Sequence, residues 1–370
     1  MIFLFWLSYF LAVYAYFGYA FWLRLYVCLK TRPVHCQSIH PPVSIIIAAR
    51  NEESNLPRKI QNLRRLDYPK SLLQIIIASD GSTDRTAEIL FEHRDEIVPV
   101  ILDASNGKAA ALNRAVAQAT GEILVFLDAR QSIQPDAVTE LVSSFADPEV
   151  GAVSGELLLE TADDAPSGDA LGVYWKIEKI VRKLESATGS VVGVTGAIYA
   201  IRRSLYQEIP QGTILDDVYV PMNVVRAGKR VVFQPAAIAR DRLFSEKGRE
   251  FSRKARTLTG NYQLIRLSPW ILSPANPLLF RFVSHKLLRL LVPFFLVTMF
   301  VTSALLQHPF YRVFFALQAI FYLGPVLGTM SPTLRRFKPI AIANTFVMLN
   351  AAAAMAFYNS ITRRSKVWIR

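Results

Sequence analysis

Charged residues gather wherever a short apolar run in the early part of this chain comes to an end. "VSIIIAA" (43–49) gives way to Arg50, Asn51 and Glu52, and "LQIIIAS" (73–79) to Asp80, Gly81, Ser82 and Asp84. Gly107 and Lys108 follow "VPVIL", and "EILVFL" runs into Asp128-Ala129-Arg130. Helix capping and solvated loops account for Asn51, Ser82 and Asp84. They do not explain why cations and carboxylates alternate at the ends of successive runs. A nucleoside diphosphate would use that mixture: acceptors for its base, cations for its pyrophosphate, and a carboxylate for the metal that accompanies it.

The elements that must carry these residues follow from the pattern between them. The apolar runs are short and rich in β-branched residues, as in parallel strands buried on both faces. Between the first two, "NEESNLPRKIQNLRRLDYP" has leucine and isoleucine at helical spacing and stops at Pro69. "DGSTDRTAEILFEH" supplies a turn, a capping cluster and a second helix, and "GKAAALNRAVAQAT" is an alanine-rich third. The alternation through residues 43–127 predicts an α/β fold with a doubly wound, mostly parallel sheet. Such sheets bind ligands at the carboxyl ends of their strands, where the charges stand. No G-x-G-x-x-G follows the first strand and no Walker P-loop occurs, which argues against a dehydrogenase or an ATPase.

The 370 residues are 52% hydrophobic and 19% charged, too apolar for an ordinary soluble protein and too charged for an all-membrane one. The apolar residues concentrate at the two ends. Residues 2–23 carry no charge and can span a bilayer, and 287–306, 310–330 and 339–358 are further candidates. A cleaved signal peptide fits 2–23 poorly, since the run is long and lacks a basic n-region. The net charge of +13 raises nucleic acid as a partner, but no nucleic-acid module accompanies it. Arg24, Lys30, Arg32, Lys286, Arg289, Arg335, Arg336 and Lys338 instead flank the spans as positive-inside anchors. They predict a multi-pass protein of the inner (plasma) membrane with its middle in the cytoplasm. Four spans would put the tail "RRSKVWIR" outside despite its basic residues, so it lies at the interface or one segment does not cross. Cys28 and Cys36 suit no disulfide in a reducing compartment, and with His35 and His40 they match no trusted zinc spacing.

"PVSIIIAARNEESNL", "ASDGSTDRT", "NGKAAALNRA", "VFLDAR" and "ILDDVYVPMNVVRAGKRVVFQP" together resemble the successive motifs of family 2 inverting glycosyltransferases. The likeness runs over residues 40–265 and implies a GT-A nucleotide-sugar fold. With its flanking spans, the chain is similar to the branch holding hyaluronan, cellulose and poly-N-acetylglucosamine synthases. The resemblance implies that Asp80 contacts the nucleotide base, that Arg50 and Glu52 line the same pocket, and that Lys108 meets the phosphates. Asp217 takes the place of the general base, with Asp216 beside it on the acceptor side; helix capping is the alternative for either. Gly196, in "VTGAIYAIRR", would allow close approach of the acceptor sugar. Asp128 is the first aspartate of the metal motif and would bind Mg²⁺ or Mn²⁺.

Two motifs depart from the family pattern. Asp-x-Asp has become Asp128-Ala129-Arg130, so Arg130 either replaces the metal on the diphosphate or turns toward the acceptor side or a neighbouring carboxylate. The second is favoured, because Mg²⁺ accepts one or two carboxylates plus substrate phosphates. In place of Gln-x-x-Arg-Trp stand Arg253, Arg256 and Thr257, which leaves processivity unassigned.

"REFSRKARTLTGNYQLIRL" (249–267) sets Phe251, Ala255, Leu258, Tyr262 and Ile265 on one helical face and Arg253 and Arg256 on another. The expectation is that the apolar stripe lies on the bilayer while the arginines face the donor diphosphate. A second amphipathic helix, 169–189, has Leu171, Tyr174, Ile177, Val181 and Leu184 in a packing stripe. The predicted organisation is thus a membrane helix in 1–30, a cytoplasmic GT-A domain in 31–248, an interfacial segment in 249–286, and further membrane helices with a basic tail in 287–370. The implied activity is hexosyl or N-acetylhexosaminyl transfer, from a UDP-sugar in preference to other donors, to a polysaccharide or lipid-linked acceptor. The rivals are single transfer to a lipid and an inactive scaffold among secretion-complex subunits.

Overall fold

Strand β1 (Val43–Ala49) is buried along its whole length, which is why its sequence lacks the polar alternation of a half-exposed strand. A computed structural model describes residues 1–160, 168–242, 247–330, 334 and 337–362. In it β1 pairs in parallel with β2 (Leu73–Asp80), which pairs with β3 (Val98–Leu102), and on its other side with β4 (Ile123–Asp128). These are the strands expected from the sequence, and the shared register brings their carboxyl ends to one edge. The sheet then continues through β5 (Ser132–Ile133), β6 (Val150–Glu160), β7 (Ile198–Arg202) and β8 (Arg230–Arg242), giving the order β3-β2-β1-β4-β7-β6-β8-β5. Here it is mixed: β7 runs antiparallel to both β4 and β6, while β6 and β8 are parallel.

Helix α1 (Ile2–Leu29) precedes the sheet. Helices α2 (Leu56–Arg64), α3 (Thr86–Glu92) and α4 (Lys108–Val116) cross between the parallel strands. Alternate β1 side chains feed two cores, as the two-residue period of a strand requires. Ile45 and Ile47 meet Leu56, Ile60 and Leu63 of α2 on one face, together with α5 (Ala137–Ser143). Ile46 meets Ala111, Leu112 and Ala115 of α4 on the other. Each isoleucine so buried contributes about 1.5–3 kcal/mol. Three more helices serve the second half of the sheet: α6 (Gly168–Ala187), α7 (Asp216–Arg226) and α8 (Lys247–Leu267).

The chain closes with α9 (Leu279–Leu305), α10 (Pro309–Met330) and α11 (Lys338–Thr362). With α1, these are, among the described residues, four helices long and apolar enough to cross a membrane. Two begin or end deeper in the sequence than hydropathy suggested. α1 continues past residue 23 to Leu29, and α9 starts at Leu279, passing through a π turn at Val283–Leu287. That early start takes residues from the expected interfacial segment. Buried polar pairing allows it: His285 sits 3.1 Å from both Glu178 and Glu185 of α6, and Arg289 pairs with Glu178. Tyr19 of α1 donates to the same Glu185 at 2.6 Å, while Tyr19 and Leu23 pack on Val181 of α6. The expected packing stripe of α6 therefore docks on α1; the side chains of Leu171 and Tyr174 lie outside the described residues, as does the tail 363–370.

The apolar stripe of α8 faces protein, where a bilayer was expected. Ala255 is buried, Ile265 packs against the sheet core, and the Tyr262 ring lies 6.0 Å from Phe357 of α11. Arg266 donates to the Ser360 carbonyl at 2.8 Å. A stripe of helical period specifies an apolar neighbour but not its identity, and α11 takes the place that lipid was expected to fill.

Candidate active site

Asp80 ends β2 fully buried, and its carboxylate is built into a loop. It accepts from Asn106 N at 2.7 Å, Ser105 Oγ at 2.9 Å and Gly107 N at 3.0 Å. Gly81 makes the turn possible, since its φ is +56° and a Cβ would lie 2.3 Å from Ser105 N. Asn51 adopts a φ of 55° after β1 and accepts from Thr83 N at 2.8 Å, tying the first two strand ends together. Arg50 and Glu52 flank it, both partly buried. Burial raises the Glu52 carboxyl, with Asn55 and Arg130 opposing and Asp128 adding to the rise.

The Asp80-held loop delivers Lys108 at the start of α4. Its Nζ lies 3.3 Å from Asp128 Oδ1 and 3.2 Å from Asp216 Oδ2, bridging the end of β4 to the start of α7. Burial alone would lower the Lys108 pKa; Asp128, Asp216 and Asp217 outweigh it and hold the ammonium charged. Arg130 turns away to pair with Asp241 of β8, which also accepts from Gln131 Nε2 at 3.0 Å. A neighbouring carboxylate thus takes the guanidinium that stands in the metal motif.

Asp217 occupies the first turn of α7. Burial, then the adjacent Asp216, pushes its carboxyl up to about 6, while Lys108, Lys286 and Arg182 pull the other way. Gly196 faces it: a Cβ there would meet the Asp217 carboxylate oxygen at 3.6 Å. The loop before α7 is pressed into place by α8. Gln263 accepts from Ile214 N at 2.9 Å and donates to the Gly212 carbonyl at 2.8 Å. Gly260 permits the contact, as a Cβ would lie 2.6 Å from Leu215 Cγ. From the same helix, Arg256 has its pKa lowered by burial and raised by Asp216, Asp217 and Asp128, so it belongs to the aspartate cluster. Arg253, one turn earlier, is exposed.

Among the described residues no group of three or more His, Cys, Asp or Glu forms a metal site. Asp128 is over a third exposed at the strand end and supplies a single carboxylate, which suits an ion completed by substrate phosphates and water.

The family model "Glycosyl transferase family 2" matches residues 44–210, the stretch that holds β1 to β7 and the Asp80, Lys108 and Asp128 positions. The chain carries a family 2 glycosyltransferase domain. Similar curated proteins include a probable glycosyltransferase YdaM of Bacillus subtilis (strain 168), 29% identical over 54% of this chain and 50% of the relative. A poly-beta-1,6-N-acetyl-D-glucosamine synthase of Staphylococcus epidermidis is 24% identical over 70% of this chain and 67% of its own. The chain spans about half the length of the first relative it matches. Among solved structures, the mannosyltransferase PcManGT of Pyrobaculum calidifontis, in complex with GDP-Man and Mn²⁺, superposes with a TM-score of 0.74 at 22% identity, over 98% of this chain and all of that one. The glycosyltransferase fold therefore extends through the helices that follow the matched domain.

Sequence reasoning missed Asp241, Gln263, Arg182, Lys286 and Lys59. The first four come from elements far along the chain and carry no local motif. Lys59 stands among the apolar positions of α2, fully buried beneath the Asp128 loop, with its Nζ donating to the Gln131 carbonyl at 2.8 Å. A lysine on the buried face of an amphipathic helix was the available signal.

Proposed function

We propose that this protein transfers a hexosyl or N-acetylhexosaminyl group, with inversion, from a UDP-sugar to an acceptor held at the inner membrane, its glycosyltransferase domain lying in the cytoplasm. The observation that carries the reading is the Asp217 carboxyl, held at about 6 and set against Gly196, whose missing side chain leaves its oxygen uncovered on that side. A base of that strength is ionised at neutral pH yet still accepts a proton as the acceptor hydroxyl attacks. The hydroxyl oxygen bonds to the anomeric carbon as the bond to the diphosphate breaks on the opposite face. The proton passes to Asp217 and the electron pair leaves with the nucleoside diphosphate. Lys108 and Arg256 stand where the diphosphate gains charge, and cations so placed stabilise the transition state above the ground state. Asp128 would hold the Mg²⁺ or Mn²⁺, which supplies further compensation of the diphosphate charge. Arg50, Glu52 and the Asp80-built loop border the end of the sheet where the nucleotide would lie.

Incubating the purified full chain with a panel of radiolabelled nucleotide-sugars tests the reading. Release of UDP with label moved to membrane material is expected, and product size separates single transfer from polymer. Absence of turnover with every donor would leave the scaffold reading in its place.

A further inference from the structure

The last turn of α6 is held by two helices of membrane-spanning length. Glu185 there is buried, accepts from Tyr19 of α1 at 2.6 Å and lies 3.1 Å from His285 of α9. One turn before His285, Arg281 holds the backbone of the same region. Its Nη1 donates to the Glu185 carbonyl at 2.6 Å and to the Ser190 carbonyl at 2.8 Å. Its Nη2 donates to the Thr188 carbonyl at 3.2 Å and to Thr188 Oγ1 at 2.8 Å. A helix leaves its last carbonyls without partners, and a cation suits them. A membrane anchor of the positive-inside kind would instead keep its charged head in water or among lipid headgroups. Arg281 is 8% exposed and gives its donors to protein.

The segment so held runs directly to Asp217. Val191 N donates to the Val231 carbonyl at 2.8 Å, which lays the segment along the start of β8, and Val194 N donates to the Asp217 carbonyl at 2.9 Å. Two glycines let it lie close. A Cβ on Gly193 would sit 3.4 Å from the Asp217 carbonyl oxygen, and one on Gly196 would sit 3.6 Å from its carboxylate oxygen. Val191, Val192 and Val194 share a core with Phe282, the neighbour of Arg281. Arg230 adds one bond, to the Gly189 carbonyl at 3.1 Å, and leaves the carbonyls on either side to Arg281. Residues 188–196 thus tie a helix of membrane-spanning length to the wall against which Asp217 is buried.

We infer that Arg281 is a positioning residue for the transfer reaction: by fixing residues 188–190 from α9 it sets the 193–196 wall against Asp217 and keeps water from the base. The inference rests on the transfer reading, because Arg281 acts only through Asp217. If the wall slackens, the carboxylate is hydrated, and burial, the first cause of its raised pKa, is relieved. Asp216, Lys108, Lys286 and Arg182 also act on that carboxyl and are left in place by a change at Arg281.

The test compares the full chain with Arg281→Gln, Arg281→Lys and Thr188→Val in turnover of the radiolabelled nucleotide-sugar panel. Both Arg281 variants should lose about tenfold to a hundredfold in kcat, the scale of a small misplacement at a reacting group. Donor KM should stay within a few-fold of native. The acid limb of kcat/KM, near 6 in the native protein, should move down toward the ordinary carboxylate value. Lysine keeps the charge but not the planar fork that reaches several carbonyls, so it should rescue neither change. Thr188→Val removes one acceptor at nearly constant shape and should show the same changes in smaller measure, even where an Arg281 variant fails to fold. Hydrogen exchange on the purified proteins without donor should show lost protection at 190–196, with β1 to β4 as in the native chain. Native kcat and an unmoved acid limb in Arg281→Lys would make the residue a membrane anchor and overturn the inference, as would intact protection at 190–196 in all three variants. A native chain that turns over no donor loses the transfer reading; lost protection in the variants would then still uphold the tie between α9 and the Asp217 wall.

Discussion

The two halves of the sheet build their polar groups differently. Around β1 and β2 nearly every side chain is answered by a loop close to it in space and in motif. Asp80 is bound by residues 105–107, Thr83 N by Asn51, Arg85 N by Glu53 and Thr86 N by Asp84. Around β7, β8 and α7 the groups come from remote elements and are charged. Lys108 meets Asp216, Arg130 meets Asp241, and Arg182, Lys286 and Arg256 converge on Asp217. The first half is a preformed cradle whose own hydrogen bonds keep it rigid. The second half is held by opposed charges, which shift pKa values and leave groups ready to react.

The sharpest way to break this contrast is Asp217→Asn. Loss of the base should cut turnover about a hundred- to ten-thousand-fold while nucleotide binding, a property of the other half, stays near wild type. In the native enzyme kcat/KM should fall as pH drops through about 6, because the raised carboxyl becomes protonated there and can no longer accept a proton. A pH–rate profile flat between 5 and 8, or activity of the Asn variant within a few-fold of native, would reduce Asp217 to a helix cap.

That division also explains what could be read from the chain. The strand runs and the residues after them were legible because burial on both faces forces continuous apolar segments, and chemistry at strand ends is then adjacent in sequence to a visible signal. Asp128 and Lys108 fell out that way. Asp241 did not, since β8 reaches it by the long route of the mixed sheet, and its pairing with Arg130 bridges 111 positions. Lys286 looked like a membrane anchor, yet it sits in a π turn of α9 and opposes the rise of the Asp217 pKa, which no local motif announces. The stripe of α8 was legible as a stripe, but period alone does not distinguish lipid from α11.

Removing the metal tests where the halves meet. EDTA should abolish transfer, Mg²⁺ or Mn²⁺ should restore it, and Asp128→Ala should be inactive with either ion. Arg130→Ala should do less, because its guanidinium is paired with Asp241. Full activity in chelator together with loss in Arg130→Ala would make the arginine the cation of the site.

Arg256→Ala should follow in size. If the guanidinium serves the departing diphosphate, kcat should drop about a hundredfold and donor affinity much less. Affinity and kcat lost in equal measure, or neither, would return α8 to a purely supporting role through Gln263 and Gly260.

Lys59→Met gives the smallest expected effect and crosses the boundary, since Lys59 belongs to α2 yet supports the loop after Asp128. Burial pulls its pKa down from 10.5 to about 7, with Asp128 opposing. Between those values the unfolded chain binds more protons than the folded one, so this residue makes stability rise with pH across that window. Below pH 7 the ammonium must remain charged in an apolar setting, and no such gain accrues. Replacing it with methionine removes the pH term and also the hydrogen bond to the Gln131 carbonyl, whose loss costs about 1–3 kcal/mol if nothing else fills it. The two changes oppose each other at low pH, where the variant sheds a buried charge, and at high pH only the lost hydrogen bond remains. Unfolding midpoints in detergent should therefore diverge between pH 7 and 9, with the native protein gaining on the variant. A constant difference over that range would mean that Lys59 keeps its proton in place and works as a fixed charge beneath Asp128.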